Sequence, residues 1–214
     1  MTNNWLMTIS AVVILAGGMS GASIASEAAA KPTGDPKAGE AKANTICMAC
    51  HGAQGNAVVP TWPKLAGQHP DYIVKQLMDF KAGNRENAQM TPMAAPLTDQ
   101  EVLDLAAYYA SQTQTGGAAD PALAKAGEQI YRAGNEASGV PACSGCHGPA
   151  GLGTNLARFP RISGQHADYT KQTLTYFRDG TRANDPNGMM RGVAAQMTDK
   201  EIAAVSQYIQ GLSK

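Results

Sequence analysis

The 214-residue sequence has no excess of either charge, because 17 lysine and arginine residues balance 17 aspartate and glutamate residues. That balance lacks the basic footprint of a nucleic-acid-binding protein. The apolar run at residues 5–16 is too short to cross a bilayer, which takes ~20 residues. The sequence shows no βαβ pattern and no repeated nucleophile–base constellation. It therefore favours neither a thioredoxin-like dithiol nor catalysis by such a constellation.

Charged side chains are absent from residues 1–25, which contain the apolar run and end in the small-residue stretch Ser23-Ile24-Ala25. This pattern predicts a secretory signal peptide cleaved after Ala25, and hence a periplasmic protein. The segment before the apolar run lacks the usual lysine or arginine. An uncleaved membrane anchor is therefore the alternative.

Cysteine is scarce, and all four cysteines fall in two motifs of the same spacing, Cys47-x-x-Cys50-His51 and Cys143-x-x-Cys146-His147. C-x-x-C-H is the attachment signature of haem c. The two thiols can form thioethers with the haem vinyl groups, and the adjacent histidine then lies under the iron. A single Cys₄ zinc site is the alternative, but it would need the two pairs to converge and would leave both histidines unexplained. We therefore predict two covalently bound haem c groups.

The chain is an internal duplication. The two cysteine motifs are 96 residues apart, residues 63–85 recur as 160–182, and the positions from residue 90 onward recur at an offset of 100. Two copies of about 90 residues indicate two similar domains rather than a solenoid. We predict an N-terminal domain at residues 31–115 and a C-terminal domain at residues 116–214, joined by the Gly/Thr/Ala-rich stretch near residues 113–119.

Each copy is predicted to be mostly helical, so the fold class is all-α with two tandem cytochrome c-like domains. Asp35-Pro36 and its counterpart Asp120-Pro121 are typical of helix starts. Residues 70–82 have apolar side chains at helical spacing and are followed by Gly83. The capping boxes Thr98-x-x-Glu101 and Thr198-x-x-Glu201 begin the last helix of each copy.

The iron needs a sixth ligand, and methionine opposite histidine is the common arrangement in cytochromes c. Met90 and Met190 occupy matching positions, each in a predicted loop before the capping box. We therefore predict His/Met ligation in each domain, with Met90 and Met190 as the methionines. Met93 in the first domain and Met189 in the second remain the nearby alternatives, and a methionine that only fills a core is the general one.

A second repeated histidine, His69 with its counterpart His166, is the rival sixth ligand. We expect it to cap a helix or lie at the surface, because a histidine ligand would leave the matched methionines without a role. Pro63 and Pro160 follow the haem-motif histidines by 12 and 13 residues. Their carbonyls are candidates to accept the second ring N–H of those histidines, and a plain loop turn is the alternative.

Arginine is concentrated in the second half, where residues 116–214 contain six. We expect these side chains mainly on the solvated surface. The alternative is that some neutralise haem propionates or bias the docking of a partner.

The two C-x-x-C-H motifs, the repeated P-x-[LI]-x-G-Q-H loops, the matched methionines and the closing [LM]-T-D-x-E helices resemble the cytochrome c4 family of dihaem cytochromes. The resemblance covers nearly all of the chain after the signal peptide. It implies two cytochrome c folds with His/Met iron and haems that face one another across the domain interface. It also implies transfer of electrons from quinol-oxidising complexes to a terminal cytochrome c oxidase, with peripheral membrane association in some members. A haem subunit of a larger dehydrogenase or oxidase complex is the main alternative, and a dihaem peroxidase is a weaker one.

Overall fold

The computed structural model describes residue 1 and residues 33–212, so the predicted signal peptide, apart from residue 1, lies outside the described residues. Within residues 33–212 the regular structure is helical, apart from two isolated β-bridges, Asn135 to Val140 and Thr154 to Phe159. The all-α prediction is confirmed. None of the described helices is both long enough and apolar enough to cross a membrane.

The two halves contain the same series of helices. The first half has α1 (Pro36–Ile46), α2 (Met48–His51), α3 (Pro70–Ala82), α4 (Met90–Ala94) and α5 (Asp99–Ser111), with a 3₁₀ turn at Ala53–Gly55. The second half has α6 (Pro121–Ala133), α7 (Ser144–His147), α8 (Ala167–Asp179), α9 (Met189–Ala195) and α10 (Asp199–Gly211), with a 3₁₀ turn at Pro186–Gly188. Residues 113–120, between α5 and α6, have no regular structure.

The sequence signals for helix ends act as predicted. The Asp35 carboxylate accepts a hydrogen bond from the backbone N–H of Lys37, and proline follows at the first helical position. The α3 helix ends at Gly83, whose φ of 76° is in the left-handed region that glycine adopts without strain. Both capping boxes form, with the threonine side chain accepting from the backbone N–H three residues later. These interactions fix where the long helices begin and end.

In each half the first and last long helices cross at a glycine. A Cβ atom built on Gly39 of α1 would lie 2.0 Å from the backbone oxygen of Asp104 in α5, and one on Gly127 of α6 would lie 2.1 Å from that of Ala204 in α10. Only glycine allows the two backbones to approach this closely. The crossing brings α5 and α10 against the helices that lead into the cysteine motifs.

Each half has its own apolar core. The first contains Leu105 and Val102 of α5, and the second contains Tyr131 of α6 with Ile202 and Val205 of α10, all almost fully buried. The buried members of one core lie between residues 43 and 109, and those of the other between residues 130 and 209. This separation indicates two domains. The boundaries at 31–115 and 116–214 stay a prediction.

Candidate haem-binding site

One cavity of about 670 Å³ extends through both domains. Its wall includes both cysteine motifs, together with apolar residues of the two cores. The size is within the range of cavities that hold organic ligands. Each domain therefore contributes a cysteine motif to a shared apolar space.

A single helical turn arranges each motif. The N–H of His51 donates to the carbonyl of Cys47 at 2.9 Å, and that of His147 donates to the carbonyl of Cys143 at the same distance. The turn places both thiols and the histidine of a motif on the wall of the cavity. All four cysteines are free thiols, and no cluster of three Cys, His, Asp or Glu suited to a metal ion occurs in the described part of the chain. The geometry gives no support to the zinc alternative.

The motif histidines are buried and held through one ring nitrogen. His51 Nδ1 lies 2.9 Å from the carbonyl oxygen of Pro63, and His147 Nδ1 lies 3.0 Å from that of Pro160. Because a carbonyl only accepts, Nδ1 must carry the proton and Nε2 keeps its lone pair. Burial lowers the pKa of both histidines, although the proline carbonyls act in the opposite direction. The prediction for the two prolines is confirmed, and both rings are in the neutral form that binds a metal.

The predicted methionine ligands both border the cavity. Met90 and Met190 are half-buried, whereas the alternatives Met93 and Met189 also reach the wall but are 47% and 42% exposed. The prediction that Met90 and Met190 lie in loops is wrong, because Met90 begins α4 and Met190 is the second residue of α9.

The short helices form because nearby polar side chains satisfy their first backbone N–H groups. The Asn87 side chain accepts from the backbone N–H of Met90 at 2.8 Å, and the Asp185 carboxylate accepts from that of Arg191 at 3.0 Å. In a segment rich in glycine, proline and asparagine, such local caps are hard to distinguish from loop turns.

The rival histidines do not border the cavity. His69 Nε2 donates to the carbonyl of Leu152 and His166 Nε2 donates to that of Ala57, both at 2.7 Å and both in the opposite domain. Their side chains make no capping hydrogen bond, so the expectation of a helix cap is wrong, whereas the expectation of a structural role agrees with their contacts across the domains. These residues dock one domain on the other.

Sequence reasoning missed a cluster of polar contacts between the domains. This cluster, called the seam below, contains Arg85, Arg182, Tyr72 and Tyr169. Arg85 lies over the Phe80 ring at 4.6 Å and donates to the hydroxyl of Tyr169 in the other domain at 3.3 Å. Its counterpart Arg182 repeats the pattern, at 4.5 Å from the Phe177 ring and 3.1 Å from the Tyr72 hydroxyl.

Arg182 is 7% exposed, so the expectation of a solvated surface is wrong for this arginine. Its match to Arg85 at an offset of 97 was the available signal. Burial raises the pKa of the Tyr169 hydroxyl, but the guanidinium groups of Arg85 and Arg182 outweigh it and lower this pKa to about 8. Both guanidinium groups, of Arg85 and Arg182, thus lie on the wall of the cavity.

The residues of each pocket fit a covalent haem. Two free thiols, a neutral histidine with an available nitrogen and a nearby thioether are the groups that haem c requires. Apolar walls suit the porphyrin, and the arginines at the seam suit its carboxylates.

Comparison with known proteins gives the same result. Residues 36–113 and 124–213 each match the cytochrome c family. Cytochrome c4 of Thiocapsa roseopersicina is 73% identical over 189 residues, which are 88% of this chain and 98% of that protein. The thiosulfate dehydrogenase electron acceptor of Thiomonas intermedia is 40% identical over 76% of each chain.

A solved structure has the same architecture. The crystal structure of reduced recombinant cytochrome c4 from Pseudomonas stutzeri superposes with a TM-score of 0.82 at 50% identity, over 85% of this chain and all of that one. The duplicated motifs, the paired pockets and these similarities agree: the chain belongs to the cytochrome c4 family, and it is an electron carrier with two covalently bound haem c groups.

Proposed function

We propose that the protein works in the periplasm, where it takes electrons from a quinol-oxidising complex and passes them to a terminal cytochrome c oxidase. The single observation that carries this proposal is the shared cavity, which places both cysteine motifs and both matched methionines in one space. Two haem sites in one space can exchange electrons within the chain, and the carrier role needs no site where a substrate reacts. Loose association with the membrane surface is part of the proposal.

We propose His51 and Met90 as the axial ligands in the first domain, and His147 and Met190 in the second. Cys47 and Cys50 attach the first haem, and Cys143 and Cys146 attach the second. Support comes from the proton on Nδ1 of each histidine, which leaves the lone pair of Nε2 available to bind iron. The half-buried state of Met90 and Met190 also favours them over their more exposed neighbours.

Each haem, when bound, supplies an iron that gains or loses one electron. The surrounding residues orient the histidines, exclude water and set the reduction potential. Pro63 and Pro160 keep the proton on Nδ1 and fix the orientation of each ring. The apolar wall excludes water, and a thioether ligand raises the reduction potential relative to a second histidine.

The matched methionines also argue for a carrier rather than a peroxidase. A peroxidase needs an iron with an open or exchangeable position, and a methionine ligand in both domains leaves neither iron open. We therefore propose that the protein is not an enzyme.

A second candidate is an electron-accepting subunit that serves one dehydrogenase. The relative from Thiomonas intermedia is named as the electron acceptor of thiosulfate dehydrogenase, and it is 40% identical. This role would use the same haem pockets and would differ only in the donor.

The test is a stopped-flow measurement on the native dihaem protein. Reduced protein mixed with membranes that contain a terminal oxidase should be oxidised rapidly, at a rate that falls as salt screens the encounter. Membranes treated with cyanide are the control. Rapid reduction by a purified dehydrogenase, together with slow oxidation by the membranes, would favour the second candidate.

Three further measurements, of carbon monoxide binding, peroxide turnover and the N-terminal sequence, address catalysis and export. Tight binding of carbon monoxide to one ferrous haem, or rapid peroxide turnover, would overturn the carrier proposal in favour of an enzyme. The mature protein should begin at Ser26, and an intact N-terminus would show that residues 1–25 are retained as an anchor.

A further inference from the structure

The repeated Gly-Gln-His loops contain a glutamine that the electron-carrier role leaves unexplained. Gln68 and Gln165 occupy matching positions and are 8% and 7% exposed. Each reaches into the opposite domain. Lys64 N–H donates to Gln165 Oε1 at 2.9 Å, and Gln165 Nε2 donates to the Lys64 carbonyl at 2.9 Å.

The second glutamine repeats this arrangement in the reverse direction. Arg161 N–H donates to Gln68 Oε1 at 2.9 Å, and Gln68 Nε2 donates to the Arg161 carbonyl at 2.8 Å. Each glutamine therefore forms a two-bond pair with the backbone of a single residue across the interface. A buried amide satisfied in this way has a fixed orientation.

The glutamines bind the backbones of Lys64 and Arg161, which come immediately after Pro63 and Pro160 in the sequence. The Pro63 carbonyl and the Lys64 N–H belong to the same peptide group. That carbonyl accepts from His51 Nδ1 at 2.9 Å, while the N–H donates to Gln165. A continuous chain of hydrogen bonds thus runs from the histidine of the first domain to the glutamine of the second.

The same chain exists in the opposite sense. His147 Nδ1 donates to the Pro160 carbonyl at 3.0 Å. The N–H of the same peptide group, which belongs to Arg161, donates to Gln68 Oε1. Hydrogen bonds in a chain polarise one another, so a bond to the N–H makes the carbonyl a better acceptor. A stronger bond at Nδ1 makes the imidazole a more basic ligand, which favours the ferric iron.

We propose that Gln165 and Gln68 are positioning residues that tune the reduction potential of the haem in the opposite domain, each through one peptide group. Gln165 acts on the first haem through the peptide between Pro63 and Lys64. Gln68 acts on the second haem through the peptide between Pro160 and Arg161. The docked interface thus lowers both potentials, and each haem responds to a residue that lies outside its own domain. The proposal rests on ligation by His51 and His147.

Other contacts hold the same interface without touching these peptide groups. His166 donates to the Ala57 carbonyl, and the Lys64 ammonium donates to the carbonyls of Thr115, Gly116 and Gly164 at 2.7, 3.1 and 3.2 Å. The interface can therefore stay docked when one glutamine is changed. His166 provides a matched control, since its replacement removes a contact between domains and leaves the glutamine chain intact.

The experiment is a potentiometric titration of the full-length dihaem protein with Gln165→Met and Gln68→Met. The thioether of methionine matches the length of glutamine but accepts weakly and cannot donate. Gln165→Met should change the ferrous-to-ferric ratio of the first haem at least about threefold at a given potential. At 59 mV per tenfold, this change raises its reduction potential by ~28 mV. Gln68→Met should do the same to the second haem, and the other haem should keep its potential in each case.

Paramagnetic NMR of the ferric protein supplies the readout at the ligand. The ring Nδ1–H of His51 should change its shift and exchange faster in Gln165→Met, while that of His147 should not. In the wild type, hyperfine-shifted rings of His51 and His147 would establish ligation separately. If they are absent, the ligand assignment fails rather than the glutamine proposal.

The control and a fallback complete the test. His166→Phe should leave both potentials unchanged. If Gln165→Met does not retain both haems, Gln165→Asn, which shortens the side chain by one methylene, replaces it. Equal shifts of both haems in one variant, no shift at all, or the same shift in His166→Phe would overturn the proposal.

Discussion

Replacement of Gly127 by alanine should destabilise the second domain, because the new methyl group has no space. Its Cβ would lie 2.1 Å from the backbone oxygen of Ala204 and 2.7 Å from Cβ of Tyr208. Ordinary contact needs well over 3 Å, so α6 and α10 must separate by about 1 Å in a close-packed interior. The obstacle is largely the backbone of α10, which no side-chain rotation relieves.

Two effects of opposite sign decide the size of the change. Alanine in place of glycine within a helix contributes about 1 kcal/mol of stability. Overpacking costs about 1–3 kcal/mol and occasionally more, and a contact with backbone places Gly127→Ala at the upper end. The free energy of unfolding should fall by about 2 kcal/mol, which is roughly a 30-fold change in the unfolding equilibrium.

Gly192→Ala is the matched control. Gly192 lies inside α9, and a Cβ built there meets no atom within 4 Å. Only the helix preference acts, so this variant should be up to about 1 kcal/mol more stable. Urea unfolding followed by far-UV circular dichroism, with both haems attached, measures both variants against the wild type. Equal stability of the two variants would refute the argument that the crossing requires glycine.

Three further predictions concern the ligands, the ionisation of a cap and the haem attachment. Met90→His should lower the potential of the first haem and Met190→His that of the second, whereas loss of the sulfur–iron near-infrared band in Met93→Ala would refute the first assignment. Hydrogen bonds from Thr198, and also from Asn135 and Ser138, lower the pKa of Glu201 from 4.5 to about 2, so the wild type should exceed Glu201→Gln in stability by about 0.5–1 kcal/mol above pH 4.5. That advantage should decrease below pH 4.5 and be lost as the pH falls through about 2, and urea titrations at several pH values measure it. Replacing both cysteines of the first motif by alanine should reduce the intact mass by one haem and leave the second haem in place.

The sequence predicted the features that depend on neighbours along the chain. The cap at Asp35, the left-handed Gly83 and the box from Thr98 to Glu101 each involve residues within one helical turn. The proline carbonyls were found because the repeat kept Pro63 and Pro160 in register with the histidines. The short helices at the methionines were missed, because their capping contacts look like turn signals in sequence.

Contacts between the domains were beyond sequence reasoning for a different reason. A duplicated sequence shows that His69 and Gln68 have counterparts, but it does not show whether their partners are in the same copy or in the other one. In the structure both reach across, to Leu152 and Arg161.

The partners of these crossing side chains explain why the two haem pockets form one unit. Gln68, Gln165, His69 and His166 all bind backbone groups of the opposite domain. Backbone positions are fixed by the fold, so such bonds define one orientation of the domains more strictly than contacts between flexible surface side chains. Because the residues between each cysteine motif and its proline provide some of these acceptors, the same loops contact the motif histidine and the neighbouring domain. A change that undocks the domains would therefore remove contacts from the loops that hold both motif histidines.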